Sequence, residues 1–410
     1  MRMATTTRGG SPGRAAMVLT VGLFFLWGMA NNLNDVLIAH FRQLFRLGDL
    51  QSGLVQSAFY LGYFCFAIPA ANVMQRLGYR TGVMIGLGLY GLGALLFWPA
   101  SLMLSYRFFL AALFVIASGL AFLETAANPM VAALGAPETA ERRLNLAQAF
   151  NPLGSMTGVA LGATFILSDP GSSVAAQAAA VRMPYLGIAV VVIVWASLIR
   201  ATRFPAVALR DAEVAVPRAF RALLGKRRYL AGVAAQFFYV GAQVGVWSFL
   251  IRYAAVAMPA LGTRRAAWLL TGSLGLFMAG RFGGSVLMTR VSGARLMLAF
   301  ALIDAALCLV AVAAGGGIGV GALVLSSAFM SIMYPTIFVL TLRGLGPLTK
   351  PGASLIVMAI IGGAVLTALM GLLSDWAGTI RAAMLVPAGC FGVVALFARM
   401  HLADGQEVVA

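Results

Sequence analysis

The chain has 410 residues, of which 61% are hydrophobic and 10% are charged, and its mean hydropathy is +0.94. Soluble domains carry about 25% charged residues, so this composition excludes a soluble globular protein and indicates one that crosses a membrane many times. The net charge of +17 does not predict nucleic-acid binding, because the basic residues are scattered between apolar runs and form no block of their own.

Twelve apolar runs follow one another along the chain, each near the roughly 20 residues that a membrane-spanning helix needs. They lie near residues 17–40, 50–75, 80–100, 105–134, 144–168, 183–203, 228–257, 265–290, 294–314, 317–345, 352–374 and 380–402. An even number of spans puts both termini on one side of the membrane. Twenty of the 29 Lys and Arg residues lie on that side and eight on the other, which predicts cytoplasmic termini.

A long basic connection at 204–227 divides the predicted spans into two bundles of six, over 17–203 and 228–402. Cytoplasmic tails are expected at 1–16, which we predict to be disordered, and at 403–410. Internal similarity supports the division, because Phe-Phe-Leu-Trp-Gly in the first span is echoed by Phe-Phe-Tyr-Val-Gly in the seventh. Two pseudo-symmetric six-helix halves are the architecture of the major facilitator superfamily. We therefore predict an all-α membrane protein with twelve transmembrane helices and the fold of the major facilitator superfamily. In this fold we expect the substrate site to lie between the halves.

The first span is interrupted by polar residues at Asn31, Asn32, Asn34 and Asp35. A carboxylate within a span costs about 2.5–3.5 kcal/mol on insertion scales, so it normally marks a transport pathway or has a partner. Helical spacing places Asn31, Asn32 and Asp35 on one face. This face is the first candidate for the site.

A second carboxylate lies in span four, where Glu124 begins the sequence Glu-Thr-Ala-Ala-Asn-Pro. Pro129 frees a backbone carbonyl nearby, so one interpretation is a structural carboxyl bonded to its own broken helix. The other is that Asp35 and Glu124 form a protonatable pair that loads a proton on one side and releases it on the other. Asp304 in span nine has no polar neighbour in sequence, and we expect it to pair with Arg281 or to be protonated.

Amide, hydroxyl and aromatic side chains deep in other spans favour an uncharged polyol ligand. Amides and hydroxyls both donate and accept hydrogen bonds, and aromatic rings pack against the C–H face of a sugar. The predicted substrate-binding residues are Asn31, Asn32, Gln148, Asn151, Gln243 and Tyr334. Candidate aromatic platforms are Trp27, Trp247 and Phe277, although packing or interfacial anchoring explains any one of these rings at least as well.

The sequence offers little for enzyme chemistry. Cys65, Cys308 and Cys390 are isolated in apolar runs and are interpreted as buried hydrophobes, and the only histidines are His40 and His401. No nucleophile–base pair, metal motif or phosphate loop is present. We therefore predict no enzyme activity and no cofactor, with the proton as the coupling ion.

Six stretches, spread over most of the chain from Phe24 to Arg399, carry a specific resemblance. They are Ala-Asn-Asn-Leu-Asn-Asp at 30–35, Gln-Ser-Ala-Phe-Tyr at 56–60, Phe-Leu-Glu-Thr-Ala-Ala-Asn-Pro at 122–129, Arg-Leu-Asn-Leu-Ala-Gln at 143–148, Tyr-Val-Gly-Ala-Gln at 239–243 and Ser-Ile-Met-Tyr-Pro-Thr-Ile-Phe at 331–338. Together they resemble the fucose–galactose–glucose/proton symporter family of the major facilitator superfamily. Asn-Asn before Leu-Asn-Asp, and Tyr before Pro335, look most like its bacterial L-fucose/proton symporters, the fucose permeases.

The resemblance implies proton-coupled sugar uptake by alternating access in the bacterial cytoplasmic membrane, with L-fucose or a related hexose or 6-deoxyhexose as substrate. It implies that Asp35 and Glu124 are essential for coupling, Glu124 as the proton-responsive group and Asp35 as the link to substrate. It also implies sugar recognition by Asn32, Gln148, Asn151 and Tyr334. The partners that we expect are the sugar, the proton and the lipid bilayer, with no nucleic acid, and the functional unit that we expect is a monomer.

Several alternatives stay open at this point. The sequence departs from a typical fucose permease at 151–152, 243–247, 363–368 and Asp304, which leaves a broader glucose/galactose symporter as the first alternative. Sugar or drug efflux is a weaker one. From other classes, a polytopic membrane enzyme and a sensor that binds sugar without transporting it are the alternatives.

Two stretches resemble the superfamily's gating signature. They are Gly-Arg-Phe-Gly-Gly at 280–284 and the stretch 75–80, in which Gln75 replaces the usual acidic residue.

Overall fold

The computed structural model describes residues 11–47, 49–133, 136–166, 173–202 and 216–407. These residues form helices joined by short connections, and no strand occurs among them. Such a chain satisfies its backbone hydrogen bonds within each helix, which is what a lipid environment requires.

The first half of the described chain runs from α1 to α7. The helices are α1 (Ser11–Leu44), α2 (Asp49–Leu102), α3 (Tyr106–Ala133), α4 (Ala140–Gln148), α5 (Phe150–Leu161), α6 (Val174–Ala180) and α7 (Arg182–Ala201). A 3-10 turn at Pro137–Thr139 precedes α4, and a π-helical turn at Gly162–Ile166 follows α5.

The second half follows α8 (Val216–Leu224), which belongs to the connection between the halves. Its helices are α9 (Arg227–Ala257), α10 (Gly262–Leu287), α11 (Gly293–Ala314), α12 (Gly316–Met330), α13 (Met333–Leu342), α14 (Thr349–Met358), α15 (Gly362–Ala377) and α16 (Leu385–Glu407). Short 3-10 turns lie at Pro259–Leu261, Gly346–Leu348, Ala359–Ile361 and Ala382–Met384.

Nine helical runs in the described residues are long and apolar enough to cross a membrane. One of them, Ser57–Leu102, has 46 residues, enough for two crossings, and it is broken at Gly78, whose φ of 81° and ψ of 167° are not helical. Two further predicted spans are also helical: the fifth is divided among α4, α5 and the π turn, and the eighth is α10. The predicted all-α architecture of twelve spans is confirmed.

The structure differs from the sequence-based expectation at the ends of the chain. α1 begins at Ser11, so residues 11–16 are helical where a disordered tail is predicted, and α16 continues to Glu407, into the predicted tail. The described part of the basic connection contains the helix α8. The remainder of these predicted segments lies outside the described residues, at 1–10, 204–215 and 408–410.

Two glycines bring α1 and α5 into backbone contact inside the first half. A Cβ atom at Gly28 would overlap the carbonyl oxygen of Asn151, and one at Gly154 would overlap that of Phe25. Small residues allow this close approach between membrane helices. The contact places the polar stretch of α1 opposite the polar residues that begin α5.

The two halves contact each other at the end of the bundle where α1 begins and α16 ends, here called the terminal side. There α4 packs against α10 and α13, while α14 packs against α2 and α3. Among the residues that the structure describes, an ion pair and a cation–π contact cross between the halves: Arg343 to Glu141 at 2.5 Å, and Lys350 over the ring of Tyr79 at 5.4 Å.

Candidate functional site

A cavity of about 460 Å³ lies between the halves. The contacts between the halves on the terminal side close it at that end. Its volume falls within the range of roughly 300–1,000 Å³ typical of small-molecule sites. Its walls come from α1, α2, α4 and α5 of the first half and from α9, α10, α13 and the turn before α15 of the second. A ligand in it would touch both halves at once.

The structure brings most of the predicted site residues together at this cavity. The lining includes Trp27, Asn31, Asn32, Gln148, Asn151, Gln243, Trp247, Phe277 and Tyr334. Amides therefore come from both halves, and an aromatic ring stands on each side. The roles of these residues in recognition stay predictions, which the proposal below takes up.

Glu124 lies behind the cavity wall rather than in it. Its side chain is 1% exposed, and the Tyr334 hydroxyl donates a hydrogen bond to its Oε1 atom, while Oε2 has no hydrogen-bond partner among the described residues. Because Glu124 is on α3 and Tyr334 is on α13, this hydrogen bond joins the two halves. Asp35 is part of helix α1, but its side chain lies outside the described residues.

The aromatic platforms are held by further contacts. Trp27 meets the Tyr334 ring edge to face, with the centroids 6.4 Å apart, and Trp247 meets Phe277 in the same way at 5.0 Å. The indole N–H of Trp247 donates to the Ser327 hydroxyl at 3.0 Å. Edge-to-face packing fixes these rings in orientation, so they offer preformed faces to a sugar.

Two of the lining amides are anchored to their own half. The Gln148 side-chain nitrogen donates to the Asn128 side chain at 2.9 Å, and the Asn151 side-chain nitrogen donates to the Phe24 carbonyl at 3.2 Å. Both hydrogen bonds use the side-chain amide nitrogen, so the side-chain oxygens of Gln148 and Asn151 stay available to a donor in the cavity.

α2 supplies a part of the wall that was not predicted, through Phe59, Tyr60 and Tyr63. The Tyr63 hydroxyl is buried and interacts with the Trp27 side chain, but neither it nor Trp27 Nε1 has a hydrogen-bond partner of normal geometry in the described structure, and Asn31 Oδ1 has no partner there. Unpaired buried polar groups cost free energy, so they favour a ligand that pairs with them. The signal in the sequence was the placement of two tyrosines one turn apart in an apolar span.

Arg281 is the one charged side chain in the lining that the structure describes. It is 3% exposed, and its guanidinium carbon lies 4.5 Å from the centroid of the Phe277 ring. Its Nε atom donates to the Ser331 carbonyl at 2.7 Å and its Nη1 atom donates to the Gln148 carbonyl at 2.9 Å.

The expected pairing of Arg281 with Asp304 is wrong, because the guanidinium is taken up by those two backbone carbonyls. Asp304 is fully buried on α11, and neither of its carboxyl oxygens has a hydrogen-bond partner of normal geometry in the described structure. The Ser326 side chain interacts with it. A carboxyl in such surroundings is far cheaper to bury when it is protonated, which agrees with the other expectation.

Comparison with known proteins identifies the family. The model of the Major Facilitator Superfamily matches residues 19–354. The L-fucose-proton symporter of Escherichia coli (strain K12) is 46% identical over 403 residues, covering 93% of this chain and 92% of that protein. The glucose/galactose transporter of Brucella abortus biovar 1 (strain 9-941) is 38% identical over 388 residues, covering 94% and 93%.

Solved structures agree with this result. The crystal structure of the transporter FucP in the outward conformation matches with a TM-score of 0.87 and 45% identity, over 94% of this chain and 98% of that one. A proton:xylose symporter, XylE, bound to 6-bromo-6-deoxy-D-glucose matches with a TM-score of 0.77 at 12% identity, over 94% of this chain and 95% of that one, and shows the shared fold alone.

Proposed function

The chain belongs to the major facilitator superfamily, and on that premise we propose that it is a proton-coupled sugar symporter that works by alternating access. The observation that carries the proposal is the hydrogen bond from Tyr334 to Glu124. Tyr334 lines the cavity, whereas Glu124 lies behind it in the other half. A sugar hydroxyl and a proton can therefore act on the same hydrogen bond.

In the proposed cycle, the proton binds first. Ionised Glu124 holds the Tyr334 hydroxyl through a charge-assisted hydrogen bond, which is about twice as strong as a neutral one. Protonation of Glu124 weakens this bond and makes the hydroxyl available to a sugar in the cavity. The loaded protein then carries no uncompensated charge at Glu124. The free-energy cost of rearranging the halves is therefore lower than when Glu124 is ionised.

Asp35 is assigned the role of linking protonation to the sugar. The assignment rests on the resemblance to the symporter family and on the position of Asp35 in α1, one turn after Asn31. The sugar itself is assigned to the amides of Asn32, Gln148 and Gln243, with Trp27 and Trp247 facing its C–H surfaces.

The proton gradient is sufficient for accumulation. One proton that crosses 100 mV supplies about 2.3 kcal/mol, and one pH unit adds about 1.4 kcal/mol. Together these values support roughly 500-fold accumulation at one proton per sugar. We propose the bacterial inner membrane as the location, with both termini in the cytoplasm.

L-Fucose is the substrate that we propose, because a 6-deoxy sugar suits a wall that combines amides with apolar side chains. Val240, Val244 and Leu274 line the cavity beside Gln243 and offer a surface for the methyl group at C6. The relatives are an L-fucose-proton symporter and a glucose/galactose transporter, so both sugar types belong in the test.

Counterflow in proteoliposomes at two pH values tests the proposal. L-Fucose, galactose, glucose and arabinose are each loaded inside the vesicles, and the entry of labelled sugar is followed. We expect L-fucose counterflow, and uphill uptake that a protonophore abolishes. Absence of counterflow with every sugar, or accumulation that persists with the protonophore, would contradict the proposal. Net proton-driven export in oriented vesicles would indicate efflux instead.

A further inference from the structure

Arg281 stands between two helix breaks, and each break has the same origin. An α-helical carbonyl at residue i accepts a hydrogen bond from the N–H of residue i+4, and proline has no N–H to give. Pro152 therefore leaves the Gln148 carbonyl without its helical partner, and Pro335 does the same to the Ser331 carbonyl. The structure breaks at both places, between α4 and α5 and between α12 and α13.

The two carbonyls freed in this way are the two that Arg281 caps. Its Nη1 atom donates to Gln148 at 2.9 Å and its Nε atom donates to Ser331 at 2.7 Å. Gln148 belongs to the first half, whereas Ser331 and Arg281 belong to the second. One guanidinium thus satisfies a proline-freed carbonyl in each half, and only the bond to Gln148 crosses between them.

The approach of α10 to α12 makes this capping possible. A Cβ atom at Gly280 would overlap the carbonyl oxygen of Ala328, so the residue before Arg281 must be a glycine for the two helices to lie this close. The planar guanidinium presents its donors in a fixed fork, which suits two acceptors in different directions. A lysine at this position has a single ammonium group on a flexible stem and cannot reproduce the fork.

We infer that Arg281 is a positioning residue that holds the terminal side closed by capping the Gln148 carbonyl across the halves. The inference rests on the proposed alternating-access function. When the terminal side opens, this bond breaks and the Gln148 carbonyl needs another donor. A hydrogen bond to a charged group is strong enough that its loss shifts the equilibrium between the two access states by about tenfold or more.

The test measures the access equilibrium without any sugar. Spin labels are attached at Arg142→Cys in α4 and at Thr289→Cys beyond α10, both exposed on the terminal side. Cys65 is exposed, so its interpretation as a buried residue is wrong, and it is first replaced by alanine, whereas Cys308 and Cys390 are buried as expected. Pulsed electron–electron double resonance in liposomes then measures the distances between the labels and gives the ratio of long to short ones.

We expect Arg281→Met to raise the ratio of long to short distances by about tenfold or more, and Arg281→Lys to raise it less. Arg290→Met, which removes an exposed arginine just after the same helix, should leave the ratio unchanged. A ratio that stays unchanged in Arg281→Met, in protein that elutes as a single species, would overturn the inference.

The prolines provide the sharper control. Pro152→Ala restores an N–H to the Gln148 carbonyl, so on this background Arg281→Met should change the ratio several-fold less. Pro335→Ala restores a partner to Ser331 within one half, so on this background the full effect of Arg281→Met should remain. Equal effects on both backgrounds would indicate a purely structural arginine.

Two measurements separate this inference from the proposed function. If Arg281→Met does not fold, Pro152→Ala alone is expected to raise the ratio, because the Gln148 carbonyl then has a partner inside its own helix. Counterflow by the labelled parent protein tests sugar transport separately. A shift in the ratio without counterflow would keep the role of Arg281 and refute the sugar assignment.

Discussion

At the scale of single residues, Glu124 is the group whose removal should uncouple transport without preventing it. Glu124→Gln keeps the size of the side chain and an acceptor for the Tyr334 hydroxyl, but it carries no proton to exchange. We therefore expect counterflow to persist while uphill accumulation falls from roughly 500-fold to equilibration. Uptake driven by a proton gradient in proteoliposomes, beside counterflow in the same preparation, measures both.

Asp304 is the matched control for Glu124, because it is also a buried carboxyl but lies in the other half and away from the cavity lining. Asp304→Asn should accumulate sugar as the parent protein does. Uphill accumulation by Glu124→Gln, or its loss in Asp304→Asn, would refute the assignment of the coupling proton to Glu124.

Tyr63 is expected to contribute to sugar affinity through its hydroxyl, which has no hydrogen-bond partner of normal geometry in the described structure although it interacts with Trp27. Tyr63→Phe removes one hydrogen-bonding group from the cavity and changes nothing else in size, so the sugar Kd should rise by about two- to tenfold. The control is Tyr90→Phe, which removes a hydroxyl that donates to the Leu26 carbonyl at 3.1 Å outside the cavity lining. Titration in detergent should show an altered Kd in the first variant and not in the second. Equal Kd values in Tyr63→Phe and the parent would argue against this contact.

The residues of the site differ in how far the sequence could predict them. Three of the lining amides, those of Asn31, Gln148 and Gln243, lie within apolar spans. They could be predicted because a polar side chain in a span costs free energy and is therefore unusual there. Tyr63 was not singled out, because an aromatic ring in a span is normally packing or an anchor. The partners of Arg281 needed the structure, since carbonyls freed by proline show where a donor is required but not which helix supplies it.

At the scale of helices, the contact between α1 and α5 depends on Gly154. The Cβ atom of an alanine there would overlap the Phe25 carbonyl, and backbone on both sides prevents an easy adjustment. Overpacking of this kind typically costs about 1–3 kcal/mol, so Gly154→Ala should lower the thermal unfolding temperature and reduce transport. Tryptophan fluorescence during heating of the purified protein measures the first effect.

Gly187 in α7 is the control for this substitution, because nothing lies within 4 Å of the Cβ atom that an alanine would add. Gly187→Ala should unfold at the temperature of the parent protein or above it, since alanine is the better helix former. Similar losses of stability in the two variants would mean that the close approach of α1 and α5 does not limit stability.

Helix positions were predictable where apolar runs and charged connections alternate, and less so where a span is interrupted. Gly78 separates two crossings within α2, as expected from the polar stretch around it. The fifth span was predicted as one helix from residue 144, but it begins as α4 at Ala140 and breaks before Phe150. Pro152 explains the break, because the helix loses the N–H that would have continued it.

At the scale of the whole molecule, the spans can be predicted but the access state cannot. Both states of an alternating-access transporter contain the same helices and the same buried faces within each half. They differ in a small number of contacts between the halves, such as those of Glu141 with Arg343 and of Lys350 with Tyr79. These contacts are worth little individually, so no pattern in the sequence indicates which state prevails.

The ion pair between Glu141 and Arg343 crosses between the halves on the terminal side, so its reversal should change the access state. Arg343→Glu replaces the attraction by repulsion, so the population open on the terminal side should increase about two- to fivefold, the range for a surface ion pair, here between the exposed Arg343 and the largely buried Glu141. The distance between spin labels at 142 and 289 measures this population.

The charge swap, Glu141→Arg combined with Arg343→Glu, is the control. It should restore the closed state only in part, because the Gly293 amide also donates to Glu141 and cannot donate to an arginine. Full restoration would show that the ion pair acts alone, and no change in Arg343→Glu would remove it from the set of contacts that hold the halves together.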